Sequence, residues 1–237
     1  MGKGLGAVVC VALAANVSSA AAHLAAQMHL YAVLGRTPHG EPVLRAEMWV
    51  DNLSGIQVAA FVGAALLFVG WFVQAWEQTE LLREPLQSGR RWWQSRTWAL
   101  AGWFIPFVNL GLPLLIALDM WESGRSRTTA RRRSRLWVIA WWLAFVTWTF
   151  AGRSAQSLYR RAEQAGAVRE ALRTGILTDI LGMLAAAAAI AFVWQLNARM
   201  AAGRRLRYLD AIERPHIEPG PAAIHTQRPP TRPTPVK

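Results

Sequence analysis

The feature that most constrains this chain is where it places no charge. Residues 5–34 contain no Asp, Glu, Lys or Arg, and neither do 52–76, 97–118, 136–152 or the run between Asp179 and Arg199. A helix needs about 20 apolar residues to cross the hydrocarbon core of a bilayer. Four of the runs are long enough. The run 136–152 is short and must recruit flanking residues such as Arg153, whose long side chain reaches back to the interface. Only 17% of the 237 residues are charged and 53% are hydrophobic, which excludes a disordered chain. A single cysteine, Cys10, excludes a disulfide scaffold. The expected fold is an all-α integral membrane helical bundle of five hydrophobic segments, at about 7–33, 54–76, 97–119, 136–153 and 178–198. These form one domain over residues 1–200, followed by a basic, Pro-rich and disordered tail at 201–237.

The connecting segments test the topology. Arg36 and Arg45 in 34–51 are outweighed by Glu41, Glu47 and Asp51, whereas 119–135 carries Arg125, Arg127, Arg131, Arg132, Arg133 and Arg135. Loops rich in Lys and Arg prefer the cytoplasm, and acidic residues count for little. Five full crossings would put both the six-Arg loop and the basic tail outside, against that rule. Segment 97–119 offers a way out, because Pro106 and Pro113 each lack an N–H and clash with a carbonyl one turn back. The third segment is therefore expected to be kinked, or else re-entrant. A signal-peptide pattern (Lys3, apolar residues 5–15, Ala20-Ala21-Ala22) is outweighed by the apolar continuation to Leu34.

The run Trp103-Phe104-Ile105-Pro106-Phe107-Val108-Asn109-Leu110-Gly111-Leu112-Pro113, with Trp121 shortly after it, carries a family likeness. It resembles the signature Trp-Phe-x-Pro-x-x-Asn-Leu-x-x-Pro of an actinobacterial family of multi-pass membrane proteins known only as a domain of unknown function. Met120 stands where that family usually has leucine. The resemblance covers about residues 10–200 and implies two hydrophobic segments on each side of the signature. It implies location in a bacterial cytoplasmic membrane and no known activity.

Candidate functional residues are few. Asn16, Ser19, His23, Gln27 and Tyr31 recur at steps of three or four and so share one face of the first helix. Such a stripe either bonds to neighbouring helices or lines a cavity. Asn109, between Pro106 and Pro113, either satisfies carbonyls freed by the break or lines a site there. His23 and His29 are six residues apart and diverge around a straight helix, so they do not converge on a metal or haem. Asp179, after Thr178, is expected at the start of the last helix as a cap or surface group. Gly182 and Ala186 allow close helix approach. Trp92, Trp93, Trp98, Trp103, Trp121, Trp137, Trp141 and Trp142 are expected mostly at the headgroup level, with Trp141 and Trp148 on one bundle seam.

Arg125, Arg127, Arg131, Arg132, Arg133 and Arg135 are candidate contacts for anionic lipid headgroups. Residues 156–174 suggest a modest interfacial amphipathic helix. None of the hydrolase, metalloprotease, phosphate-loop or cysteine-pair motifs occurs. No cofactor and no nucleic acid is expected. The sequence points to a non-catalytic accessory, scaffold or regulatory membrane protein, with membrane lipids, a membrane-protein partner or a second copy as partners. The alternative is a small channel or transporter component using the polar first helix and the broken third segment.

Overall fold

A computed structural model describes residues 2–37, 39–81, 95–123, 131–160 and 165–213. The described residues form α1 (Gly2–Arg36), α2 (Glu41–Leu81), α3 (Arg96–Ala101), a single 3-10 turn (Val108–Leu110), α4 (Leu112–Ser123), α5 (Arg131–Arg160) and α6 (Ala165–Glu213). Arg125 and Arg127, the pair Trp92-Trp93 and the Pro-rich residues 214–237 lie outside the described residues.

Four helices are long and apolar enough to span a membrane: Gly4–Arg36, Glu41–Leu81, Arg135–Arg160 and Gly166–Arg205. The expectation of five segments with a kinked or re-entrant third is therefore corrected. The third span is α5, a single uninterrupted helix. The Pro-bearing segment 97–119 is no span, because it is divided into two short helices and a 3-10 turn. Both its ends are tied to the same end of the bundle, Arg96 to Glu77 at the end of α2 (2.9 Å) and Glu122 to Arg135 at the start of α5.

The sequence explains the break locally. Ser95 caps α3 by accepting from the Trp98 N–H (3.4 Å). Val108 N–H donates to the Pro106 carbonyl (2.8 Å), closing a three-residue turn centred on Phe107 at φ 65 and ψ −41. A γ-turn with positive φ is rare and strained for a side chain of this size. Pro113 then occupies the first turn of α4, where its missing N–H has no helical partner to lose. It initiates a helix and does not kink one. Asn109 Nδ2 donates to the Trp103 carbonyl (3.4 Å), and Trp142 Nε1 to the Leu110 carbonyl (3.0 Å), so protein groups take up carbonyls in the broken stretch.

The four long helices run alternately up and down. α1 packs along α2 and α6, and α5 packs along α6. Trp71 Nε1 donates to Asn197 Oδ1 (3.3 Å) at the end of the bundle shared by residue 2 and residue 213. Toward the other end, α1 meets α6 at Gln27 and Gly175. α2 and α5 approach through rings, Phe61 on Trp148 (5.0 Å) and Phe68 on Trp141 (5.8 Å). The broken segment fills the space between them at the first end, with Trp103 edge-on to both Phe68 (5.7 Å) and Phe72 (5.3 Å).

The main core is aromatic. Trp141 stacks on Phe192 at 4.5 Å and 7°, and Phe192 also stacks against Trp121. Lipid tails are as apolar as these rings, so burial alone drives little association between spans. Close packing and ring geometry supply it, each favourable aromatic pair adding about 0.5–1.5 kcal/mol. Trp121, Trp141 and Trp142 are thus buried in the core and Trp103 packs against it, with Trp141 on the seam where α5 meets α2 and α6. A smaller cluster (Leu30, Leu34, Val43, Ala46, Val50, Leu172) joins α1, α2 and α6 at the opposite end. Of the expected amphipathic helix at 156–174, residues 156–160 fall in the last turns of α5 and 165–174 in the first turns of α6, and 161–164 lie outside the described residues.

Candidate functional site

The polar stripe of α1 meets a carboxylate from the far end of the chain. His23 Nδ1 lies 2.8 Å from Asp179 Oδ2, Gln27 Nε2 donates to the same oxygen (3.0 Å), and Gln57 Nε2 donates to Oδ1 (3.2 Å). A carboxylate accepts only, so the Asp179 contact fixes the His23 hydrogen on Nδ1. Three donors from two other helices surround a carboxyl that is 6% exposed. Burial of a charge is tolerated when its lone pairs are filled in this way.

Asp179 lies well inside α6, which begins at Ala165, so the expected cap or surface role is corrected. A segment starting at 178 would place Asp179 at a helix end. With fourteen more helical residues ahead of it, Asp179 faces its neighbours as an interior side chain. Two glycines on α6 make the approach possible. A Cβ on Gly175 would lie 2.5 Å from Gln27 Oε1, and one on Gly182 would lie 2.5 Å from Trp148 Nε1. Gly182 therefore lets the Trp148 indole of α5 lie directly against α6.

These groups line a cavity of about 680 Å³ between α1, α2, α5 and α6. Asn16, His23 and Gln27 come from α1, Asp51 and Gln57 from α2, Arg153 and Arg160 from α5, and Asp179 from α6. That volume is in the range of sites for small organic ligands. Asn16 is 9% exposed and its amide has no hydrogen-bond partner among the described residues. Gln27 Oε1 is likewise buried without a partner. Phe61, Phe145 and Trp148 form the floor. Beyond them lies a second, apolar chamber of about 110 Å³ that shares Asn16 and these three rings.

The remaining candidates fall elsewhere. Ser19 bonds its own helix, and the Tyr31 ring lies under the Arg169 guanidinium (4.4 Å). Pro106, Asn109 and Pro113 belong to the broken segment and line neither chamber. His29 is exposed. Among the described residues, no group of three or more His, Cys, Asp and Glu could hold a metal ion. Arg131, Arg132 and Arg133 open α5, and Arg135 pairs with Glu122. Sequence reasoning missed Gln57 and the partnership of Asp179. An acid bordering an uncharged run was the available signal, since an ionisable group at such a depth requires a partner.

Residues 35–198 match the model of a family described as Domain of unknown function (DUF4328), and the chain belongs to that family. No curated protein and no solved structure matches it.

Proposed function

We propose that this DUF4328 member is a non-catalytic membrane protein that binds a small ligand in the cavity beside Asp179 and acts as an accessory or regulatory subunit. One observation carries this: a polar cavity formed jointly by all four spans, into which the buried Gln27 Oε1 and the side chain of Asn16 bring polar groups without a hydrogen-bond partner among the described residues. A ligand filling it touches every span at once and so favours one arrangement of the bundle over another. Asp179 holds α6 to α1 and α2 through three hydrogen-bond contacts, which suits a positioning role better than a reactive one.

A channel or transporter component remains the second reading, supported by the same cavity. The path from it toward the other end meets the Trp103, Trp141 and Phe192 rings, which favours binding over conduction. The protein is assigned to a bacterial cytoplasmic membrane, in line with the actinobacterial likeness of Trp103 to Pro113. The end with residues 82–94, 124–130 and the tail is placed in the cytoplasm, because nineteen of the 26 Lys and Arg residues belong to segments at that end. There Arg125, Arg127, Arg131, Arg132, Arg133 and Arg135 are proposed to meet anionic headgroups.

Native mass spectrometry of the protein released from cell membranes tests the binding. A bound adduct is expected in the wild type and is lost in Asn16→Leu. Wild-type protein that emerges bare, together with ion flux through reconstituted vesicles, would replace the binding role by the channel.

A further inference from the structure

The two chambers have the shape and polarity of one amphiphile. The polar chamber is bordered by Asp51 on α2 and Arg153 on α5, the residues that bound the uncharged runs 52–76 and 136–152. Its mouth therefore lies at headgroup depth. The apolar chamber is deeper, among Ala64, Ala185, Ala186 and Ala189 and the rings of Trp103 and Trp141. The order from mouth to floor is charged, polar, aromatic and then small and apolar, the order along a lipid.

The entrance has a direction as well. α2 and α5 approach through two ring contacts, Phe61 with Trp148 and Phe68 with Trp141, and the gap between them on the headgroup side of Phe61 is the direction from which a lipid would enter. The charges lining the cavity differ in sign between the two helices, Asp51 on α2 and Arg153 and Arg160 on α5. A headgroup carrying both an ammonium and a phosphate is complementary to both walls, whereas an anionic one meets repulsion at Asp51. Asn16, at the junction of the chambers, is placed to bond an ester or glycerol oxygen below the head.

We propose that the paired chambers form a lateral site for one zwitterionic phospholipid of the leaflet at this end, with the headgroup beside Asp51, Arg153 and Arg160 and one chain entering past Phe61 and Trp148. The proposal rests on the ligand-binding function above and names the ligand's class.

The test uses full-length protein in nanodiscs containing phosphatidylethanolamine with a photoactivatable diazirine in its chain, and a parallel set with phosphatidylglycerol bearing the same chain. Illumination followed by peptide mapping is expected to label α6 around Ala185–Ala189 and α5 around Trp141 at least fivefold more with phosphatidylethanolamine. Ala186→Leu, which fills the slot, should abolish that labelling. Asp51→Asn and Arg153→Gln change exposed groups at the mouth and leave the packing intact, so they should erase the preference between the two lipids even if Ala186→Leu folds poorly. Labelling confined to lipid-facing side chains such as Val8, Leu66 and Trp194 in the wild type would overturn the proposal, as would equal labelling by both lipids. If those failures came with a non-lipid adduct in native mass spectrometry, the binding function would stand and only the lipid assignment would fall.

Discussion

His23 on α1 and Asp179 on α6 are 156 positions apart and meet at 2.8 Å. The contact fixes the register of the first span against the last at the polar end of the uncharged runs. Asp179→Ala would strand three donors, His23, Gln27 and Gln57, and is expected to destabilise by about 3 kcal/mol, since each buried donor left unpaired costs about 1–3 kcal/mol. His23→Ala leaves the carboxylate two amide donors and should lose about 1–2 kcal/mol. The double variant His23→Ala/Asp179→Ala removes both partners and should lose less than the sum of the two single losses, with a coupling above about 1 kcal/mol. Reversible unfolding in detergent, followed by tryptophan fluorescence, gives all three values. Additive losses would mean that the pair contributes nothing as a pair.

Gly182 and Gly63 separate packing from helix propensity. A Cβ at 182 meets the Trp148 indole at 2.5 Å, and that ring is already held by Phe61 and Phe145. Gly182→Ala should therefore destabilise by about 1–3 kcal/mol, the usual range for overpacking. Gly63 has open space at its Cβ position. Gly63→Ala should be neutral or stabilise by up to about 1 kcal/mol through helix propensity. Equal unfolding temperatures for the two variants would show that Trp148 is free to move aside.

Phe107 holds a positive φ while its ring is 87% exposed. Strain of this kind costs about 1–3 kcal/mol, and the exposed ring returns little packing against the protein. Phe107→Gly is expected to raise stability by about 1 kcal/mol, after allowing for the greater chain entropy of glycine in the unfolded state. Phe107→Ala retains the strain and should leave stability unchanged or lower. A loss in the glycine variant that matches the alanine one would show that the ring, by its contact with lipid or a partner, is what holds the turn in place.

The uncharged runs made α1, α2, α5 and α6 legible, because a long stretch without charge has few alternatives to a span. Segment 97–119 has the same composition and length but does not cross. Its fate is decided by Phe107 in a strained turn and by two ion pairs, Arg96 with Glu77 and Glu122 with Arg135, that anchor it to one end. None of these is a periodic signal. The α1 stripe was legible from its spacing, and the structure places Asn16, His23 and Gln27 on one cavity. Asp179 and Gln57 were not, since which residue answers a polar stripe depends on the register between helices distant in sequence. For the tryptophans, composition reports how many indoles exist, whereas the partners Phe68, Phe72 and Phe192 determine which of them pack into the core.

Four spans also fix which connections share a side, and this is open to direct test. Residues 39–40 and 161–164 join helices at one end of the bundle, and 82–94 and 124–130 join them at the other. In a Cys10→Ala background, single cysteines at His39 and Glu163 should react with an impermeant maleimide in intact cells. Cysteines at Ser88 and Thr128 should react only after the membrane is opened, because the basic segments favour the cytoplasm. Thr128 is the decisive position. A fifth crossing at 97–119 would place it with His39, whereas a segment anchored at both ends to Glu77 and Arg135 places it with Ser88. Labelling of Thr128 in intact cells alongside His39 would overturn the four-span topology and with it the shared depth of Asp51, Arg153 and Asp179. Labelling of Ser88 and Thr128 together, with His39 and Glu163 protected, would keep the four spans and reverse only their orientation, moving the Asp179 cavity to the cytoplasmic leaflet.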